Sequence, residues 1–417
     1  MDEPVISYPL PGLSDASAGD GDPALALMRR AALIGASDLP LVVEAAGDAL
    51  GATSARLLVA DYGLASLLEL GRHGPTEPGH PIDGTIAGRA FVSGEIVVST
   101  PNQTQAPAKD TAQDTAKDLT TVWVPVAEGS ERLGVLELTY ERWSSDLLVP
   151  IAAVLRVLVL EVISKRRYTD TMLRSRRAQP LTLAAEMQWD LLPPLTCAAE
   201  QVSVSGILEP AYEIGGDSFD FALNPEHLEF AIVDAVGHGM SAVLMAVATI
   251  NSLRNSRREG HGLEMAYRSC GSMLESQFGQ SFFVTGQIGS LDLATGRLTW
   301  INAGHPRPLL VRDGSFTGEL ACRPSMPFGL GGDVREIGVE QLQAGDRVLF
   351  FTDGVIESRS ETREQFGLDR LADQLIRSTL DQRSPAETVR RLSSAVMAYN
   401  PAGVEDDATL LLVDYHG

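Results

Sequence analysis

Four carboxylate positions in the C-terminal half of the chain stand where an apolar β-run meets a turn. They are Asp217 in EIGGDSFD, Asp234 in IVDAVGHG, Asp353 in FFTDGVIES, and the pair Asp406-Asp407 in VEDDATLLLV. Sheet ends hold side chains rigidly, and hard divalent cations such as Mg2+ and Mn2+ prefer carboxylates, carbonyls and water as donors. One such aspartate is ordinarily a turn residue without chemistry. Four in order carry more weight, because carboxylates brought together repel one another unless cations neutralise them. Rival nucleophiles lack their partners: Cys197, Cys270 and Cys322 are far apart without CxxC spacing, and no Ser-His-Asp arrangement is evident. His238 in GHG and His305 in NAGHP could serve as general acids, but each adjoins a turn and is better read as bonding a neighbouring loop. Asn302 and Gly304 belong to the same architectural turn as His305.

A chain of 417 residues is too long for one core, so two domains and a connector are expected. With 44% hydrophobic and 21% charged residues the composition is that of a globular protein. The longest apolar stretch, Leu147 to Ile163, is interrupted by Pro150, Arg156 and Glu161, and reads as amphipathic helix without membrane insertion. A formal charge of -22 repels phosphate backbones and argues against a nucleic-acid partner. Residues 1–24 are acidic and rich in Pro, Gly and Ser, the composition of a disordered tail and not of a secretory signal. Without a disulfide framework, the expected location is cytoplasmic.

Residues 25–149 alternate helix and strand signals, an α+β pattern. LMRRAALIGA and LPLVVEAAGDAL read as helices, SARLLVADY and ASLLELGRH as strands, and IAGRAFVSGEIVVST as a short helix running into a strand. TVWVPVAEGSERLGVLELTY reads as a hairpin, and the polar stretch from Asn102 to Leu119 before it as a mobile loop. In their order, and in GTIAGRAFVSGEIV and VWVPVAEGSERLGVLEL, these segments resemble a GAF domain, a small-molecule-sensing module with an antiparallel sheet and flanking helices. The resemblance implies either a ligand under the Asn102–Leu119 loop or a dimerisation module without one. The absence of cysteine here removes thiol-attached chromophores and Cys-ligated haem, and His73 and His80 are expected in a solvated loop.

Residues 150–196 read as a helical connector. Leu155, Leu158, Val162, Tyr168 and Met172 lie among basic residues without an evident burial partner, which suggests a homodimer seam. Pro180 breaks the helix, and a second helix, PLTLAAEMQWDLLPPL, would start there at a first-turn proline. Its apolar face is expected to be Leu183, Ala184, Met187, Leu191 and Leu192. Lys165, Arg166, Arg167, Arg174, Arg176 and Arg177 are expected on a solvated helix face.

Residues 197–417 are rich in short strands, several ending on the aspartates above. From Leu181 onward the chain resembles the SpoIIE/RsbU branch of the type 2C metal-dependent phosphatases. The phrases that carry the resemblance are LAAEMQWDLLPP, PAYEIGGDSFD, VDAVGHGMSAVLMA, INAGHPRPLLVR, PFGL, DRVLFFTDGVIESR and DDATLLLV. It implies an α-β-β-α sandwich and a two-metal site of Mn2+ or Mg2+. Asp234 would bridge both ions and the backbone carbonyl of Ala235 would ligate the second. Asp353 and Asp406 would complete the first, with Asp407 the other candidate, and Asp217 would hold the second directly or through water. Members of the branch commonly have GDV where this chain has VDA, a change a backbone ligand tolerates.

The implied reaction is hydrolysis of phosphoserine or phosphothreonine by metal-activated water, without a phosphoenzyme. The implied substrate is a phosphorylated anti-anti-sigma factor or another STAS-domain protein in bacterial signalling. A noncatalytic scaffold of the same fold is one alternative. A GGDEF-like nucleotide cyclase, suggested by EIGGDSF, is another, but it gives Asp234, Asp353 and the terminal DDAT no purpose.

Overall fold

The computed structural model describes residues 5–11, 22–75, 78–100, 119–213, 215–279, 281–400 and 406–417. Two units divide the chain, Met1–Pro180 and Leu181–Gly417. The expected connector is thereby shared, residues 150–180 going to the first unit and 181–196 to the second.

In the first unit the elements are β1 (Val5–Tyr8), α1 (Pro23–Ala31), α2 (Leu39–Ala49), β2 (Ser54–Ala60), β3 (Ser66–Glu69) and β4 (His80–Pro81). They continue with α3 (Ile86–Ser93), β5 (Ile96–Ser99), β6 (Thr120–Glu128), β7 (Glu131–Tyr140), α4 (Leu148–Arg166) and α5 (Thr171–Ser175). The strands form one antiparallel sheet in the order β1-β5-β6-β7-β2-β3-β4. Gly129, at φ +59, makes the tight β6–β7 turn, a conformation glycine adopts without steric cost.

Several expectations are corrected here. Residues 5–8, assigned to a disordered tail, form β1 against β5, with Val5 opposite Ser99. His80 is no solvated loop residue: it packs edge-on to Trp123 with ring centroids 6.2 Å apart. The connector helix ends at Arg166, well before Pro180, because Thr169 Oγ1 takes the Thr171 N–H at 3.2 Å in competition with the helical pattern. Its apolar residues do have a burial partner: Leu155, Leu158, Val162 and Met172 share a core with α1, α2 and the sheet. That removes the reason for a dimer seam there, although Leu160 and Tyr168 remain 67% and 80% exposed. By length and composition α4 with the turn before it could cross a membrane, yet Ile151, Val154 and Leu158 are fully buried in this unit. The proposed Asn102–Leu119 loop lies almost wholly outside the described residues.

The second unit opens with α6 (Leu183–Leu191), capped by the Thr182 hydroxyl, which accepts from Ala185 N–H at 3.2 Å. A side-chain cap thus starts the helix, and Pro180 lies outside it. Next come β8 (Thr196–Ala198), β9 (Val202–Glu209), β10 (Asp217–Leu223), β11 (His227–Ala235), α7 (Met240–Arg258) and α8 (Leu263–Phe278). β12 (Val284–Asp292), β13 (Arg297–Ala303), β14 (Leu309–Arg312), β15 (Ser315–Glu319), β16 (Gly338–Gln341) and β17 (Asp346–Phe351) follow. The unit closes with α9 (Asp353–Glu357), α10 (Gly367–Leu380), α11 (Pro385–Tyr399) and β18 (Ala408–Tyr415).

Two antiparallel sheets result, β10-β11-β12-β13-β16 and β15-β14-β17-β18-β9-β8. Phe219, Phe230, Ile232, Trp300, Phe350 and Leu411 build one core from both sheets. On β11 the alternate residues, Ala231, Val233 and Ala235, instead join α7 and α8 in a second core. This is the two-residue period of a strand buried on both faces. Helix α11 packs on β9 and β18 of the other sheet. A buried charge cluster fastens α7 to β10: Arg254 reaches Asp220 Oδ1 at 2.7 Å and Arg257 reaches Oδ2 at 2.9 Å.

Candidate metal centre

Strand ends place the acids. Asp217 begins β10 and lies directly across from Asp234 at the end of β11. Like charges facing each other across a pair of strands are destabilising, so their juxtaposition points to a cation. The facing backbone is equally close: Ala235 N–H donates to the Gly216 carbonyl at 3.1 Å. A Cβ on Gly216 would collide with the Ala235 carbonyl oxygen, so only glycine lets the two strand ends approach this way.

The other sheet supplies the remaining acids from its adjacent strands β17 and β18. Asp353 is the first residue of α9, immediately after β17, and Asp406-Asp407 lead into β18. Gly354 is required here too, since a Cβ would strike the Asp407 carbonyl oxygen.

The charges act on one another. Burial, then the charges of Asp234 and Asp407, push Asp217 well above the usual carboxylate range. Burial and the charges of Asp353, Asp406 and Asp407 lift Asp234 to about 7. Asp353 is raised by burial, then by Asp406 and Glu357. Asp407 rises to about 6, chiefly through burial and partly offset by backbone N–H donors. Among the described residues no three Asp, Glu, His or Cys side chains are disposed to close around a single ion as they stand. The acids are near enough to repel and not drawn to one point.

The two C-terminal acids differ in what they touch. Asp407 is 6% exposed and accepts from Gly215 N–H at 2.7 Å and Asp217 N–H at 3.1 Å. It is committed to holding the loop that carries Asp217. Asp406 is exposed and faces Asp234 and Asp353 electrostatically.

Three polar residues around the acids escaped the sequence reading. Thr352 donates its hydroxyl to Asp217 Oδ2 at 2.7 Å and accepts from Thr409 N–H at 2.9 Å, joining the two sheets. Gln188, fully buried on α6, donates its side-chain amide to the Asp217 carbonyl. Thr285, opposite Asp234 in β12, is in hydrogen-bond contact with His305 Nδ1 at 3.0 Å. The available signals were a threonine directly before Asp353 and a glutamine on the buried stripe of an apolar helix.

Burial lowers His305 to about 3, so its imidazole is neutral. Asn302 closes the same turn by accepting from His305 N–H and donating to the His305 carbonyl, both at 2.8 Å. His238 is exposed on the turn before α7. The docking face of α6 is Ala185, Gln188 and Leu191, whereas Leu183 is 67% exposed. This corrects the expected face in part: Leu191 is buried and Leu192 packs on the core as expected, while Gln188, bonded to the Asp217 carbonyl, takes a place where an apolar residue was expected.

Comparison with known proteins places this unit. Residues 224–416 match the family model described as stage II sporulation protein E (SpoIIE). The match lies within the C-terminal unit, which is similar to phosphatase domains of the SpoIIE/PP2C type. The chain is 24% identical to the phosphoserine phosphatase RsbU of Bacillus subtilis over 56% of its own length and 69% of that protein. It is 27% identical to the phosphoserine phosphatase RsbP of the same organism, over 38% of this chain and 40% of the relative. Among solved structures, the RsbU and RsbW domains of a Mycobacterium tuberculosis protein align with a TM-score of 0.47 and 26% identity, covering 54% of this chain and 63% of the other.

Proposed function

We propose that the chain is a cytoplasmic, metal-dependent protein-serine/threonine phosphatase, with two divalent cations, Mn2+ or Mg2+, held by Asp217, Asp234, the Ala235 carbonyl, Asp353 and Asp406. The observation that carries this reading is the meeting of acids from two sheets at raised pKa, a donor set of hard oxygens suited to such ions. Asp407 is assigned to holding the Gly215–Asp217 loop and not to a metal, because its oxygens already accept backbone N–H groups. Bound cations would supply Lewis acidity toward water and the phosphoryl oxygens. The chain's own part is orientation: Thr352 fixes Asp217 Oδ2, Gln188 fixes the Asp217 carbonyl, and Gly216 and Gly354 admit the close approaches.

The substrate we assign is a phosphorylated anti-anti-sigma factor of the STAS type, with residues 25–149 acting as a GAF-like regulatory domain. A homodimer through this region would draw on Leu160, Tyr168 and Leu173, exposed apolar residues of α4, α5 and the turn between them. The full chain is expected to release phosphate from a phosphoserine peptide and from p-nitrophenyl phosphate with Mn2+ or Mg2+, and to fall silent in EDTA. Absence of turnover with either metal would leave only a scaffold; undiminished turnover in EDTA would remove the metal assignment.

Regulation in this reading enters through α6, because Gln188 couples that helix to Asp217. Replacing Gln188 by Leu is expected to raise the metal concentration for half-maximal activity about tenfold, the lower end for loss of a residue that orients a ligand. Thermal stability should move little by comparison. An unchanged metal requirement makes α6 a passive tether.

A further inference from the structure

The basic residues of the α4–α5 region are not all spread over a solvated face. Arg166 and Arg167 at the end of α4 and Arg176 after α5 meet Arg132, on β7, around a pocket of about 310 Å3 within the first unit. Its apolar floor includes Leu133 and Met172, 7% and 4% exposed, so it is rooted in the core shared with α1, α2 and α4.

The guanidinium groups are held from behind. Arg176 donates from Nε to the Ala60 carbonyl at 3.0 Å and lies over the buried Tyr62 ring at 4.6 Å. Arg132 lies over Phe91 at 5.8 Å. Arg166 is paired with Glu128 at 3.1 Å. Glu131 is the carboxylate among the lining residues, beside four guanidiniums.

We propose that this pocket binds a small soluble phosphate monoester. The oxygens of a phosphate dianion suit the paired donors of several guanidiniums at once. The volume lies at the small end of ligand sites and leaves room for a compact organic body against the apolar floor. Through Arg176 and α5 the ligand would touch the last ordered turn before the chain leaves this unit at Pro180. The site is independent of the catalytic assignment, since every residue named belongs to the first unit.

The test is calorimetric titration of the full chain in EDTA, where the acidic centre offers phosphate no cation. Ribose 5-phosphate and inorganic phosphate are the probes, and ribose is the uncharged control. Ribose 5-phosphate is expected to bind saturably, inorganic phosphate more weakly, and ribose not at all. The double variant Arg166→Ala/Arg167→Ala should weaken ribose 5-phosphate binding about 100-fold, as befits two charged hydrogen-bonding groups. Arg166 is half-buried and paired with Glu128, so the double variant is read beside the single exposed change Arg167→Glu, which should leave melting unchanged and weaken binding as well. The Asp234→Ala chain should bind like the unaltered protein, which separates this site from the acidic centre. No saturable binding of either phosphorylated probe at millimolar concentration, or equal binding by the arginine variants, overturns the proposal.

Discussion

The Asp234→Ala chain is expected to lose about 1,000-fold or more in phosphatase turnover while keeping its fold, because the change removes a shared source of charge stabilisation and not a packing element. Asp234 sits at the end of β11, where its neighbours Val233 and Ala235 carry the burial. Its removal also relieves repulsion from Asp217, Asp353, Asp406 and Asp407. Asp353→Ala should behave alike, whereas Asp407→Ala should destabilise the Asp217 loop, since the half-buried Gly215 and buried Asp217 N–H groups lose their acceptor. Steady-state kinetics beside thermal melting checks this. An Asp234→Ala chain with turnover close to that of the unaltered protein would sink the assignment of the centre.

The metal-free protein should lose stability as pH rises from the ordinary aspartate value of 3.8 to about 7, the window set by Asp234, with Asp407 moving in the same direction. Within that window the folded chain retains protons that the unfolded chain has released, so raising pH favours unfolding. His305 acts the opposite way: buried and neutral with its pKa lowered to about 3, it favours folding increasingly as pH rises toward its unfolded value of 6.5. Comparison with Asp234→Asn isolates the aspartate. For that group alone the difference above neutral pH is on the order of 4 kcal/mol, or roughly 10 °C in melting temperature, before coupling among the acids is allowed for. In EDTA at about pH 8 the Asp234→Asn chain should therefore melt higher than the unaltered one. Added Mn2+ should stabilise the unaltered chain more at that pH than at about pH 5, where protons already neutralise the acids. Equal melting of the two chains across the window refutes the electrostatic account.

Much of this architecture was legible in the sequence. The β6–β7 hairpin followed from alternation around a glycine turn, and the aspartates stood at strand ends because apolar runs stop where they begin. Local signals cannot report long-range partners. Gln188 looked like an ordinary helix residue until a carbonyl many residues away made it a buried donor. Asp406 and Asp407 were indistinguishable in VEDDATLLLV, and the backbone of the Gly215–Asp217 loop separates them. The basic stretch after α4 read as solvent-facing because Arg132, which completes its pocket, comes from a different element. Helix breakage at Thr169 was concealed by apolar spacing that continues through Met172.

The double-sided burial of β11 also limits how this domain can evolve. Phe230 and Ile232 belong to the core between the sheets, while Ala231 and Val233 belong to the core beneath α7 and α8. A single inserted or deleted residue would exchange the two sets at once, sending large side chains to the small-residue layer and small ones to the large-residue layer. It would also remove Asp234 from its place opposite Asp217. Length variation should therefore accumulate in the loops around the strand, and not in the segment that carries Asp234.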